Sequence, residues 1–491
     1  MPFAADVIRI FGLGIPWWIV VPLGVYWLVV VVLVIADDRE PASTLLWLGA
    51  LVFLPGVGVV LFLFFGRDWK VISGRRRWAQ SYLPGAIATM DGIYECNRPA
   101  DRLFRARHPS DLAADIATMI QRENFSRPLP AQTLEIFADT GECFARLEHD
   151  IAAARSFVHL DYFIWEHDAL TARVTAALLE RLAAGVEVRV VYDLLGSIRF
   201  RKAELRRLRA AGAHVSADVR QLFKLNYRNH LKIAVVDGIV GYTGGANLGQ
   251  EYIDGGRRFP AWRDTNIRLT GQAVAELQKL FALRWYEDER EDVLQPPYLP
   301  PPAEALPQDG VITQLVAHTI EWPWEAARRA HMVAISQAER TLRVQSPYFV
   351  PDRATYDVLI NAALRGVDVR LMMTGVVDKA LPFWAAQTYY EPLLRAGGRI
   401  YQYTAGFFHA KTIAVDASIC AVGTMNLDNR SLRLHKELME WIYDAGLTRR
   451  LEEIFDADLE HCREVTLEQV RAMGRLSRFR NSCARLFSAE I

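Results

Sequence analysis

The chain has 491 residues, too many for one ordinary domain, so two or three units with separate cores are expected. Lys plus Arg and Asp plus Glu number 57 each, and this neutrality excludes the global attraction for polyanions that a basic nucleic-acid binder has. Cys96, Cys143, Cys420, Cys462 and Cys483 are scattered and form no CxxC or metal-ligand spacing, so they read as reduced structural thiols.

From Trp17 to Ala36 twenty consecutive residues carry no charge, about the length that crosses a bilayer. A second uncharged run covers 45–65, and only the short, net acidic stretch 37–44 lies between them. A cleaved signal peptide has a shorter apolar stretch and a more basic start than Arg9 alone supplies. The pattern predicts a transmembrane helical hairpin over 1–70. Arg67, Lys70, Arg75, Arg76 and Arg77 follow it, and such a cluster stays on the cytoplasmic side, which puts both termini there. Residues 71–130 read as a juxtamembrane region.

Beyond it the chain repeats itself. Val158-His-Leu-Asp-Tyr-Phe-Ile164, Ala184-Gly-Val-Glu-Val-Arg-Val190 and Leu208-Arg-Ala-Ala-Gly212 recur, in the same order, as Val344-Gln-Ser-Pro-Tyr-Phe-Val350, Arg365-Gly-Val-Asp-Val-Arg-Leu371 and Leu393-Leu-Arg-Ala-Gly397. Each copy runs strand, Ala/Leu-rich helix, Gly, strand, the order of a βαβ unit. The copies span 131–295 and 308–464, and the Pro-rich stretch 296–307 links them. Residues 465–491 form a tail with Arg471, Arg475, Arg478, Arg480 and Arg485 among Met473, Leu476, Phe479 and Leu486. It reads equally as a membrane-surface helix or as a packing helix.

Each copy contains one His-x-Lys-x4-Asp constellation. The first is His230, Lys232 and Asp237, followed by Gly244-Gly-Ala-Asn247; the second is His409, Lys411 and Asp416, followed by Gly423-Thr-Met-Asn426. The histidines are 409 − 230 = 179 residues apart, close to the offset of the repeat, and each Asp precedes its first Gly by seven residues. A lone HxK carries little information; two in matched register carry a great deal. Residues i and i+2 of a strand share a face, so His and Lys point the same way. Two copies related by an approximate two-fold would place two imidazoles, two ammonium groups and two asparagines around one phosphodiester. Lysines and amides would then neutralise its oxygens without a metal or other cofactor, one imidazole would attack phosphorus, and the other would protonate the leaving alcohol. Asp237 and Asp416 are the candidates for fixing the far ring nitrogens.

At these residues the chain resembles the phospholipase D superfamily and, within it, the bacterial cardiolipin synthases. The narrower likeness rests on Tyr348-Phe-Val-Pro-Asp352, Trp262-Arg-Asp-Thr265, Asn426-Leu-Asp-Asn-Arg-Ser431 with Glu437, and the double span. It implies two pseudo-two-fold-related phospholipase D-like α/β/α units forming one active site behind a two-helix anchor. It further implies a phosphohistidine intermediate and transfer of a phosphatidyl group between two phosphatidylglycerol molecules, with release of glycerol. Carried over by motif, His230, Lys232, Asp237, His409, Lys411 and Asp416 are catalytic, and Asn247, Asn426, Ser431 and Glu437 bind substrate. The amino-terminal histidine is commonly the nucleophile in relatives, which favours His230. The implied setting is the bacterial inner membrane, multi-pass, with the catalytic part cytoplasmic, membrane phospholipids as partners and no nucleic acid.

The alternatives are a phospholipase D-type hydrolase, or a transferase using another donor or alcohol such as phosphatidylethanolamine, since the motifs fit water or an alcohol as acceptor. Two departures bear on the choice of lipid. Residues 317–322 replace the usual Ser-Gly-Pro opening of the second half, and Asn266 stands where His is usual after Trp-Arg-Asp-Thr. Ten basic residues between Arg199 and Lys232, opposed by Glu204 and Asp218, read as an anionic-headgroup patch or a solvated helix face. Trp322, Trp324, Phe383 and Trp384 read as core, with an acyl-chain entrance as the alternative.

Overall fold

The computed structural model describes residues 7–10, 13–36, 41–54, 56–62, 75–198, 202–218, 228–301, 310–318 and 325–488, of which 7–10, 13–15, 42, 75–80, 202 and 218 are described as backbone only. It divides into two units, 1–73 with 222–226, and the remainder.

In the first unit a short antiparallel pair, Val7–Ile10 with Leu13–Pro16, leads into the helix Trp17–Ala36. This helix has the length and composition to cross a bilayer, and nearly all of it is exposed. The second apolar run is not one such helix. It forms Pro41–Phe53 and Val57–Leu61, separated at Gly56, whose left-handed φ of 85° ends the helical path. Val34, Trp47 and Leu51 pack where the two runs meet. Of the basic cluster, Arg67 and Lys70 lie outside the described residues, as do the side chains of Arg75, Arg76 and Arg77.

The second unit holds both repeats. Among the described residues, the first repeat forms a seven-stranded sheet in the order 134–137, 266–270, 240–244, 232–236, 157–162, 187–193, 214–218. The second builds the same arrangement within a nine-stranded sheet: 311–318, 437–442, 419–423, 412–415, 341–345, 368–374, 399–403. In each, three strands run parallel through helical crossovers and the rest pair antiparallel.

The strands are apolar on both faces because both faces are covered. Ile233 and Val235 enter the core shared with Leu315, Val422 and Leu438 of the second repeat, while Ala234 and Val236 enter the core under the helices Thr140–Ala153 and Ala169–Ala183. The two repeats are thus joined through a common apolar layer.

Within the stretch expected as juxtamembrane, the described residues from 75 on include ones that join the second repeat. Leu129–Ala131 adds an edge strand to the second repeat's sheet, pairing with Val311–His318. Asn124 Nδ2 donates to the carbonyl of Ala317 at 3.0 Å. The tail is equally integrated. Cys462–Val465 pairs with Arg399–Tyr403, and the helix Arg475–Leu486 lies against Ala380–Ala386 through Arg480, whose guanidinium sits 4.6 Å over the Trp384 ring. Trp322 and Trp324 lie outside the described residues, as do Arg199, Arg201, Arg220 and Lys224 of the basic stretch.

Candidate active site

Residue 229 forms a β-bridge to Lys436, and Phe407–Phe408 pairs in parallel with Trp262–Arg263. Each histidine therefore enters the site on backbone held by the opposite repeat. The His230 amide donates to the Lys436 carbonyl at 3.0 Å, and the His409 amide donates to the Arg263 carbonyl at 2.8 Å. Just behind these contacts, Lys436 pairs with Glu287 at 2.7 Å and Arg263 pairs with Asp458 at 2.8 Å. Both ion pairs are buried and both cross between the repeats.

The side chains follow the same exchange. His230 Nδ1 lies 2.9 Å from Glu437 Oε2, and His409 Nδ1 lies 2.7 Å from Asp264 Oδ2. The carboxylates that orient the rings come from the strand-entry positions 264 and 437 of the other repeat, not from the motif aspartates.

Asp237 and Asp416 do something different, and the expectation that they face the rings is corrected. Seven residues of extended chain, at about 3.3 Å each, carry Asp237 to the far end of the strand from His230. There Asp237 accepts hydrogen bonds from the backbone amides of Arg155, Ser156 and Phe157. Asp416 does the same for Glu339, Arg340 and Thr341. Both adopt left-handed backbone, φ 51° and 53°, which a short polar side chain tolerates in a turn.

Lys232 and Lys411 are buried, and each Nζ donates to the carbonyl of its own histidine. Burial is the largest influence on both and lowers them, Lys232 to about 7 and Lys411 to about 8; each also feels Glu437 and Asp264. Burial, then the nearby lysines, push His230 well below the usual histidine range and bring His409 to about 4. His230 also senses His409, and His409 senses Lys232, so the two motifs converge on one centre.

The two carboxyls differ. Burial raises Glu437 to about 8, against the pull of Lys232 and of the Thr424 and Ser431 hydroxyls. Burial also works upward on Asp264, but Lys411 and His409 hold it below the usual carboxylate range.

Asn247 and Asn426 are both buried. Asn247 accepts from the Ile164 amide at 3.2 Å and donates to Tyr252 Oη at 3.0 Å; among the described residues Asn426 Oδ1 has no hydrogen-bond partner. Ser431 and Glu437, expected to bind substrate, stand instead behind His230, with Glu437 on its ring.

Two further residues were not anticipated. Asp264 occurs inside the quoted Trp-Arg-Asp-Thr motif without an assigned role. His435 lies with its ring 5.8 Å from that of His230 and its Nδ1 3.7 Å from Glu437 Oε1. His230, His435 and Glu437 present ligand atoms within 4.8 Å of one another, a donor set that a metal ion could use. However, His230 and Glu437 already satisfy each other, and the positive charges of Arg430, Arg228, Lys379 and Lys232 act on His435, which disfavours a cation there.

Two α/β repeats that pool paired His-Lys motifs, each histidine oriented by a carboxyl from the other repeat, define an enzyme of the phospholipase D-like class. A model of the cardiolipin synthase PLD-like domain matches residues 147–285 and 332–459, and one of the phospholipase D-nuclease N-terminal region matches 24–67. The chain is 34% identical over 471 residues to the major cardiolipin synthase ClsA of Bacillus subtilis, covering 94% of this chain and 96% of that one. It is 35% identical over 462 residues to a cardiolipin synthase of Geobacillus kaustophilus, covering 92% and 89%. The chain belongs to the cardiolipin synthase family, and it is a membrane phosphatidyltransferase of phospholipid biosynthesis. A phosphatidylserine synthase of Haemophilus influenzae shares the fold at 14% identity, with a TM-score of 0.59 over 77% of this chain and all of that one.

Proposed function

We propose that the protein makes cardiolipin by passing a phosphatidyl group from one phosphatidylglycerol to another through a phosphohistidine on His230, with His409 as the acid and base. The observation that carries this division of labour is the difference between the two carboxyls. His230 is neutral, and a Glu437 oxygen accepting from Nδ1–H selects the tautomer whose outer nitrogen keeps its lone pair for attack on phosphorus, while that carboxyl keeps its own proton up to about pH 8. His409 faces an ionised Asp264, which stabilises the imidazolium that an acid must carry. A bound phosphodiester adds a negative charge that raises His409 and both lysines further toward their charged forms.

With both lysines and His409 charged, Asp264 ionised and Glu437 protonated, the counted groups sum to two positive charges, which exceeds the single negative charge of one phosphodiester and favours its binding. Lys232, Lys411, Asn247 and Asn426 would hold its oxygens. His230 attacks phosphorus while His409 gives its proton to the departing glycerol oxygen. The hydroxyl of a second phosphatidylglycerol then gives its proton to His409, attacks phosphorus and frees His230. Asp237 and Asp416 act by fixing the turns that end the motif strands. In this reading both apolar runs of the first unit enter the bilayer, and the basic residues after them keep the catalytic part cytoplasmic.

The test is to incubate the full detergent-solubilised chain with labelled phosphatidylglycerol in the presence of chelator, beside His230→Ala and His409→Ala. Cardiolipin and glycerol in equal amounts, lost in both variants, are expected. Phosphatidic acid as the only product would replace transfer by hydrolysis.

A further inference from the structure

The helix Arg475–Leu486 is built inside out. Leu476, Phe479, Cys483 and Leu486 follow one another at three- and four-residue steps and so share a face. That face is turned away from the protein: Leu476 is 82% exposed, Phe479 68% and Leu486 71%. The side that packs is small and polar, with Ala484 buried beside Asn481. Asn481 is buried and donates to Gln387 Oε1 at 3.0 Å, and the guanidinium of Arg485 sits 4.6 Å over the Tyr389 ring, as that of Arg480 does over Trp384. A helix that served only to cover the fold would point its leucines and phenylalanine inward.

We infer that this helix docks the catalytic unit onto the surface of an anionic bilayer, with Leu476, Phe479 and Leu486 among the acyl chains and the flanking arginines at lipid phosphates. Three observations select that occupant. Residues 475–488 contain four arginines and no acidic residue, which complements a negative surface. The same chain carries a helix able to span a membrane, so a bilayer is part of its surroundings. The helix is also tied to the rim of the active site. It packs on Ala380–Ala386, whose N-cap residue Lys379 lies over the Tyr348 ring and exerts its charge on His435. Docking would therefore hold the rim near the lipids that the site consumes, a step that rests on the phosphatidylglycerol reading, whereas the docking itself does not.

The experiment places a spin label on Phe479→Cys in the otherwise cysteine-free full chain and reconstitutes it in vesicles containing phosphatidylglycerol. Expected is a label reached by dissolved oxygen and shielded from a water-soluble nickel chelate, unlike a label on Arg353→Cys, a position whose side chain is exposed. Equal access of the chelate at both positions would overturn docking. Dipolar broadening that persists in detergent would overturn it in favour of contact with a second copy.

A Leu476→Glu, Phe479→Glu double variant in the natural cysteine background provides the second arm. Vesicle phosphatidylglycerol should turn over about tenfold more slowly, and dispersed short-chain phosphatidylglycerol within about threefold of the parent rate. Equal losses in both formats would point to misfolding and against docking. Absence of turnover by the parent chain in either format would sink the proposed reaction, and the label would still decide the docking.

Discussion

Around the two histidines the repeats can be superposed position by position, and the mismatches are informative. Gly244 pairs with Asn266 in the first sheet and Gly423 with Met439 in the second, so Asp264 corresponds to Glu437 and Trp262 to His435. Gly245 and Thr424 correspond as well. A Cβ at 245 would stand 1.9 Å from Asp264 Oδ1, so glycine is what lets that carboxylate sit there. Thr424 instead donates its hydroxyl to Glu437 Oε2 at 2.5 Å. His409 has the Trp262 ring at 5.3 Å, where His230 has the His435 ring at 5.8 Å. Two copies of one scaffold thus provide one histidine with an ionised partner and an aromatic wall, and the other with a protonated partner and a third imidazole. Duplication supplies the lysines and amides twice; in the proposed reaction, divergence in a few neighbours would separate nucleophile from acid.

The comparison breaks first, if it breaks, on the histidines. His230→Ala and His409→Ala should each lower transfer at least about a thousandfold. With a phosphatidyl p-nitrophenyl ester, whose leaving group needs no proton, His409→Ala should still release a burst of p-nitrophenol and His230→Ala should not. The opposite pattern would exchange their roles. The carboxyls sharpen the same contrast. Asp264→Asn removes the charge that stabilises an imidazolium and should lower kcat about a hundredfold, whereas Glu437→Gln replaces a group already protonated below pH 8 and should lower it about tenfold. Equal losses would mean that the two carboxyls are equivalent.

The lysines give a prediction with a definite sign. In the empty site Lys232 and Lys411 shed protons from about pH 7 and 8, and Glu437 also ionises near 8. Binding tungstate or inorganic phosphate needs both ammonium forms, so it takes up protons above pH 7, and the fall in affinity should steepen beyond tenfold per pH unit above pH 8 and approach about a hundredfold per unit by pH 10. Calorimetry in buffers of different ionisation enthalpy reads both quantities, and affinity unchanged over that range would refute the assignment. The smallest effect on chemistry belongs to the motif aspartates. Asp237→Asn or Asp416→Asn weakens three backbone hydrogen bonds and should lower unfolding stability by about 2 kcal/mol while leaving kcat within about threefold. A hundredfold loss of kcat with unchanged stability would restore them to the reacting centre.

Much of this was legible in the sequence because the repeat registers apolar strands and His-Lys spacing at one offset. Asp264 was not. From Gly244 to Asp264 is 264 − 244 = 20 residues and from Gly423 to Glu437 is 437 − 423 = 14, so the six-residue excess, in a stretch that includes the short helix Glu251–Asp254, hides the correspondence. Asp237 and Asp416 misled for the opposite reason. Their spacing from the histidine is constant because both cap the same turn, and constant spacing along one extended strand means distance, not contact. The break at Gly56 and the packing of 75–124 onto the repeats depend on local backbone and tertiary contacts that hydropathy does not encode.

The exchange of carboxyls between repeats also has a consequence in time. The ring of His230 is held by a residue 207 positions further along the chain, and its amide is held by the residue before that. During synthesis the anchor and the whole first repeat emerge long before Glu437 exists. A nascent chain can therefore sit among phospholipids with its first motif complete and still be unable to cleave them. In the proposed reaction, activity would appear only when the second sheet closes on the first, late in the making of the molecule.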